Sequence, residues 1–191
     1  MTPEFGIALN AVLKPAGFRR SGRSWTRVSG SFVDWVGLQI AKSGDVVTTN
    51  LGIHDPELNR IISIREPSIQ VNELDCAVRT RLNAIVPEHA GWWAVPDPEA
   101  AADMAGAMAV NGLRWLDGMR SRSAIAQHLT SENVETKPYP LPILVLAVLR
   151  RLEGDAAESE RLFAGLRSRE LGPWTRRIDL AESRLRSLPR D

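Results

Sequence analysis

Phe32-Val33-Asp34-Trp35-Val36-Gly37-Leu38-Gln39-Ile40-Ala41-Lys42, then Ser43-Gly44-Asp45, then Val46-Val47-Thr48-Thr49-Asn50-Leu51-Gly52-Ile53-His54 reads as two long strands around a tight turn. Strand side chains alternate between faces. Val47, Thr49, Leu51 and Ile53 therefore form an apolar row, and Val46, Thr48, Asn50, Gly52 and His54 a mostly polar one. Likewise Phe32, Val36, Leu38 and Ile40 oppose Val33, Trp35, Gly37, Gln39 and Ala41. One sheet face packs on a core and the other is mixed.

Working outward, Phe18 to Arg20 and Ser24 to Val28 read as two more strands, separated by Ser21-Gly22-Arg23 and Ser29-Gly30, which makes an antiparallel meander the simplest assembly. Before it, Thr2 and Pro3 read as the cap and first residue of a helix. Phe5, Leu9, Val12 and Leu13 mark its apolar stripe, and Pro15 and Gly17 stop it. After it, Pro56 opens a short helical turn or loop through Asn59, and Ile61 to Arg65 reads as a further strand. Residues 74–86 are ambiguous. Cys76, Val78, Thr80 and Leu82 alternate as in a strand, yet Leu74, Val78, Leu82 and Ile85 also fit a helix. A strand through Leu82, with Asn83 in a left-handed turn, is the favoured reading.

Beyond Trp93 the composition turns helical. Asp97-Pro98 caps an Ala/Met-rich helix to about Asp117, kinked at Gly112, and Ser123 to Leu129 is a short helix. Polar and Pro-rich residues 131–140 read as a linker. Helices follow at Leu141 to Leu152, Asp155 to Arg167 and Pro173 to Leu188, the first two turning at Gly154 like one tetratricopeptide-type hairpin. The expected class is α+β. A first domain over residues 1–130 holds an N-terminal helix, an antiparallel meander and packed helices. An antiparallel helical segment over 141–191 packs on it.

The chain has 191 residues, with 24 basic and 23 acidic side chains giving a net charge of +1. Such a balance supplies no global field toward nucleic acid or an anionic membrane. Three lysines, Lys14, Lys42 and Lys137, leave the positive charge mostly to arginine, whose planar fork suits bidentate pairing and stacking. Cys76 is the single cysteine, which excludes an internal disulfide and fits a reducing cytoplasm. The N-terminus reads as no export signal, and Leu141 to Leu149 is too short to span a bilayer.

Leu13-Lys14-Pro15-Ala16-Gly17-Phe18-Arg19-Arg20, Leu38-Gln39, Asn50-Leu51-Gly52-Ile53, Cys76-x-x-Arg79-x-Arg81-Leu82 and Trp92-Trp93 follow one another in an order and spacing that resembles the bacterial family known as domain of unknown function 4304. The resemblance covers about Phe5 to Met119. It implies a mixed helix and sheet domain and no established activity. Gly91 stands where members often carry an acid, and Asn83 where a glycine is usual.

The candidate binding residues are Trp35, Gln39, Asn50, His54, Arg79, Arg81, Trp92 and Trp93. If the first six share a face, they offer donors, a flat ring and two fixed cations to an acidic peptide, phosphate or carboxylate. The plainer reading pairs Arg79 and Arg81 with Asp34 or Glu73 and stacks them on Trp92 or Trp93. His54-Asp55 with Glu57, or with Glu88 and His89, could serve acid–base chemistry or a metal, but no ligand spacing supports this and His128 reads as structural. Neither a catalytic residue, a metal nor a cofactor is expected. Arg19, Arg20, Arg23 and Arg27 around Trp25 could grip a nucleic-acid backbone, against which the near-neutral charge argues. The expected function is a cytoplasmic, non-catalytic module that binds another protein, in an accessory or immunity-type role. The alternative is a small anionic-ligand sensor or enzyme using Arg79, Arg81 and His54.

Overall fold

A computed structural model describes residues 3–65, 70–86 and 91–188. The chain is α+β and divides into two compact units, Met1–His54 with Val71–Arg120, and Asp55–Gln70 with Ser121–Asp191.

In the first unit, helix α1 (Pro3–Leu13) buries Phe5, Leu9 and Leu13 and ends where Gly17 takes a left-handed φ of 88°. The expected cap, Thr2, lies outside the described residues. Strands β1 (Arg19–Ser21), β2 (Ser24–Ser29), β3 (Phe32–Ile40) and β4 (Val46–His54) form the meander, each turn carried by a glycine with positive φ: Gly22, Gly30 and Gly44. Strand β5 (Val78–Arg81) pairs with β4 at Asn50–Ile53, and the short β6 (Trp93–Ala94) pairs with β4 at Val46 and Val47. All pairings are antiparallel.

Helix α3 (Pro98–Ala107), capped by the Asp97 carboxylate, runs through a π-helical turn at Met108–Gly112 into α4 (Leu113–Gly118). Where a kink at Gly112 is expected, the helix makes this π-helical turn. A Cβ on Gly112 would sit 2.4 Å from Met108 Sδ, so a larger residue there would push that thioether aside. Helices α1 and α3 pack together. Trp25 is fully buried and donates its indole N–H to Asn10 Oδ1 of α1 at 3.1 Å.

Two local expectations are corrected. Ile61 to Arg65 is no strand: helix α2 (Pro56–Ile62) continues to Ile62, because Asp55 caps it and Leu58, Ile61 and Ile62 recur at helical spacing on its buried side. Asn83 is not left-handed. It lies in a 3-10 turn, Leu82–Ala84, where its Oδ1 accepts from Thr48 Oγ1 at 3.0 Å. Among the described residues Asn133 is the non-glycine with positive φ.

The second unit gathers α2, α5 (Arg122–Ser131), α6 (Leu141–Leu152), α7 (Ala156–Arg167) and α8 (Trp174–Ser187). Helix α6 buries Leu141 and every residue from Ile143 to Leu149, and it contacts α2, α5, α7 and α8, as a helix apolar on all sides must. The segment expected as a linker carries a 3-10 turn, Val134–Thr136, with Val134 buried. Arg161 clamps Glu135 and Glu158 with bonds of 2.7 and 2.8 Å, which holds both carboxyls below their ordinary range. Burial holds the His128 imidazole below its ordinary value. Carbonyls at the end of α2, which lack partners within the helix, accept from α8 instead. Arg177 Nε donates to Ile62 O at 2.7 Å, and Arg184 Nη1 to Arg60 O at 2.6 Å and Ser63 O at 2.7 Å.

Candidate functional site

The register decides which side chains share the mixed face. Trp35 stands opposite Gly52 and Gly52 opposite Arg79; Gly37 stands opposite Asn50 and Asn50 opposite Arg81. Gln39 faces Thr48, and Val33 faces His54. Directly opposed residues of neighbouring strands project to the same side. Trp35, Gln39, Asn50, His54, Arg79 and Arg81 therefore lie on one face.

That face is largely covered. The Trp35 ring folds over Gly37, where a Cβ would stand 2.2 Å from a ring carbon, and the indole is buried. A strap formed by residues 72–76 crosses Gly52. Its 3-10 turn, Glu73–Asp75, is closed by Asn72, whose Oδ1 accepts from Leu74 N at 2.9 Å while its own N–H donates to Asp75 Oδ2 at 3.0 Å. His54, 8% exposed, places Nδ1 2.9 Å from Asp75 O, and Cys76 fills the space above Gly52. Burial pushes the Cys76 thiol far above its ordinary range, so it stays protonated and acts as a small apolar plug.

Replacing Gly52 by alanine tests this packing. The new Cβ would lie 2.6 Å from Cys76 Sγ and 2.8 Å from its Cβ, so the strap must lift. We expect a loss of about 1–3 kcal/mol in urea unfolding. A Gly52→Ala protein as stable as the parent would show that the strap is not seated on β4.

Polar contacts converge on Asn50, which is 7% exposed. Its Nδ2 donates to Gln39 Oε1 at 2.8 Å and to Glu73 Oε2 at 3.3 Å, while its buried Oδ1 has no hydrogen-bond partner. Glu73 Oε1 lies 3.7 Å from Arg79 Nη1. Arg81 is exposed and stacks on Trp92 at 5.6 Å. Among the described residues no carboxylate pairs with Arg81.

The Trp doublet divides between faces. Trp93, opposite Val47, enters the core and donates Nε1–H to Asp103 at 2.7 Å, while the half-buried Trp92 meets Arg81.

A family model described as Domain of unknown function (DUF4304) matches residues 9–117, more than half of the chain. The chain belongs to this family. The DUF4304 span includes every candidate site residue named from the sequence, together with the strap. No curated protein and no solved structure matches the chain.

Asp34 and Arg27, also within the DUF4304 span, are committed elsewhere. Asp34 belongs to the apolar row, opposite Ile53, and so cannot reach Arg79; it pairs with Arg27 and Arg120 on the core side. Alternation could have shown this, since Asp34 shares its row with Val36 and Leu38. In the first hairpin, Arg27 is held by Asp34, Asp117 and Ala16 O, and Trp25 is buried, so that cluster has no ring for a base to stack on. Arg20 lies over Trp25 at 5.2 Å. His89 and Glu88, weighed as partners of His54, lie outside the described residues. Among the described residues no group of three or more His, Cys, Asp or Glu is placed to hold a metal, and no helix is long and apolar enough to cross a membrane.

Proposed function

We propose that the DUF4304 unit is a non-catalytic module that binds another protein through the rim of the mixed face around Arg81 and Trp92. The carrying observation is the exposed Arg81 guanidinium, stacked on an indole and without a carboxylate partner among the described residues. Arginine and tryptophan are the residue types that most often anchor interfaces, and a stacked guanidinium reaches its partner with less entropy to lose. The alternative use of His54 as an acid–base group has weaker support, since that ring is buried with Nδ1 against a backbone carbonyl.

Affinity capture with three proteins tests the reading: the parent, Arg81→Glu, and Arg23→Glu on the exposed β1–β2 turn. A specific partner is expected on the parent and on Arg23→Glu, and at least tenfold less of it on Arg81→Glu, because reversing an anchoring charge costs several kcal/mol. Equal capture by Arg81→Glu, or no capture by the parent, overturns it.

A further inference from the structure

We infer that the helical second unit carries a binding site for a small apolar monocarboxylate, with Arg151 and Arg186 as the groups that receive its charge. The site lies beyond residue 117, outside the DUF4304 span, and is independent of the reading of Arg81 and Trp92.

A cavity of about 100 Å³ opens where the last turns of α6 and α8 meet the middle of α7. Phe163 and Leu185, 3% and 7% exposed, give it an apolar floor. Ser159, in its wall, donates Oγ–H to Ala147 O at 2.8 Å and so ties α7 to α6 there. Each of the two last turns holds a pair of arginines, as the negative end of a helix favours. One arginine of each pair is spent inside the protein. Arg150 bridges to Glu153 at 3.0 Å, and Arg184 Nη1 donates to Arg60 O at 2.6 Å and Ser63 O at 2.7 Å. The other of each pair, Arg151 on α6 and Arg186 on α8, lines the cavity, and no acid or carbonyl among the described residues engages its side chain. The field of a helix end accounts for either arginine singly. It does not account for two unengaged forks around one apolar hollow.

Charge and volume select the ligand, and nothing has to be displaced to admit it. Glu182, also in the wall, is already bonded to Arg167, so those two charges cancel. Arg151 and Arg186 against Glu160 then leave one positive charge, which a single carboxylate balances. Its flat pair of oxygens matches the guanidinium fork. A phosphate dianion exceeds that charge, meets the Glu160 carboxylate and leaves the apolar floor unused. An apolar cavity of about 150 Å³ takes benzene. The smaller volume here therefore suits an isobutyl-sized group over Phe163 and Leu185, with its carboxylate at the mouth between the two arginines.

The experiment uses the full chain, labelled with 15N and with 13C in the leucine methyls. The Nε–H signals of Arg151 and Arg186 and the methyls of Leu185 are followed while 3-methylbutanoate, its neutral amide or inorganic phosphate is added. The acid is expected to shift all of them along one saturating curve. Its amide is expected to bind at least about tenfold more weakly, and Arg151→Gln and Arg186→Gln each to weaken the acid at least about fivefold, because a charge-assisted bond is lost in each case. Neither arginine has a partner to lose in the folded protein, so both variants are expected to unfold in urea at the parent's midpoint. No shift with the acid overturns the inference. Equal binding of acid and amide overturns the role of the charge, and phosphate binding as tightly as the acid overturns the apolar monocarboxylate. Unweakened binding by either variant, folded as the parent is, removes that arginine from the site.

Discussion

Replacing Asp34 by alanine is expected to cost about 3–5 kcal/mol of unfolding free energy, the range for removing one member of a buried ion pair. The carboxylate is 0% exposed on the core side of β3, and its Oδ2 lies 2.7 Å from the Arg27 guanidinium and 2.8 Å from Arg120 Nη2. Without it, two guanidinium groups face apolar strands with one acid, Asp117, left to serve both. Asp117 is half exposed, and Arg27 retains the Ala16 carbonyl and the Phe18 ring, which places the cost toward the lower end. Replacing the pair of arginines together with Asp34 by apolar residues should return most of the loss, since no charge then stays behind unpaired. Urea unfolding of the alanine protein measures the first quantity directly. A loss under about 1 kcal/mol would mean that water reaches the cluster and that Asp34 is not the electrostatic centre of the sheet's core side.

Asp55→Ala is expected to lower the stability of the second unit by about 3 kcal/mol, through two separable contributions. Asp55 Oδ1 caps α2 by accepting from Glu57 N and Leu58 N, each at 3.0 Å, and such a cap contributes about 1 kcal/mol. The same carboxylate takes Arg122 Nε at 2.7 Å and Nη2 at 3.2 Å, a charged pair at a 2% exposed group that contributes about 1.5–3 kcal/mol. The hydrogen bond to Asp55, with a second to Glu57, raises the guanidinium pKa still further above its ordinary value, so Arg122 remains charged at every pH of interest. Asp55→Asn separates the contributions, because asparagine caps as well as aspartate but brings no charge. Its loss should be about two-thirds that of alanine in thermal unfolding. Equal losses for the two variants would assign the whole effect to Arg122, and a negligible loss for asparagine would assign it to the cap.

The meander was legible because each of its turns carries glycine where φ must be positive, and because β3 and β4 are long enough for alternation to fix their faces. Helix α8 was legible from its apolar stripe, and α6 and α7 from the turn at Gly154 between them. The failures cluster where a short segment takes its conformation from partners far away in sequence. Ile61 and Ile62 look β-prone in isolation, yet the Asp55 cap and α8 arginines on its last carbonyls hold them in a helix. Asn83 favours the left-handed region by local preference, but Thr48, 35 residues earlier, gives its amide a use in a 3-10 turn. At the candidate site, alternation placed six residues on one face. What it could not give was depth: the strap over Gly52 and the fold of Trp35 onto Gly37 bury most of that face and leave Arg81 and Trp92 at its rim. Glu73 entered the sequence reading only as a structural counterion, since nothing local marks a carboxylate that will be laid across a sheet from a connecting turn.

Trp92 and Trp93 also act as a lock on strand alignment. A slip of one residue between β4 and β6 would exchange the neighbouring indoles, driving Trp92 inward, away from Arg81, and carrying Trp93 out of the core and off Asp103. Two large rings with incompatible destinations thus forbid the misaligned pairing that a two-residue strand could not resist through its backbone alone.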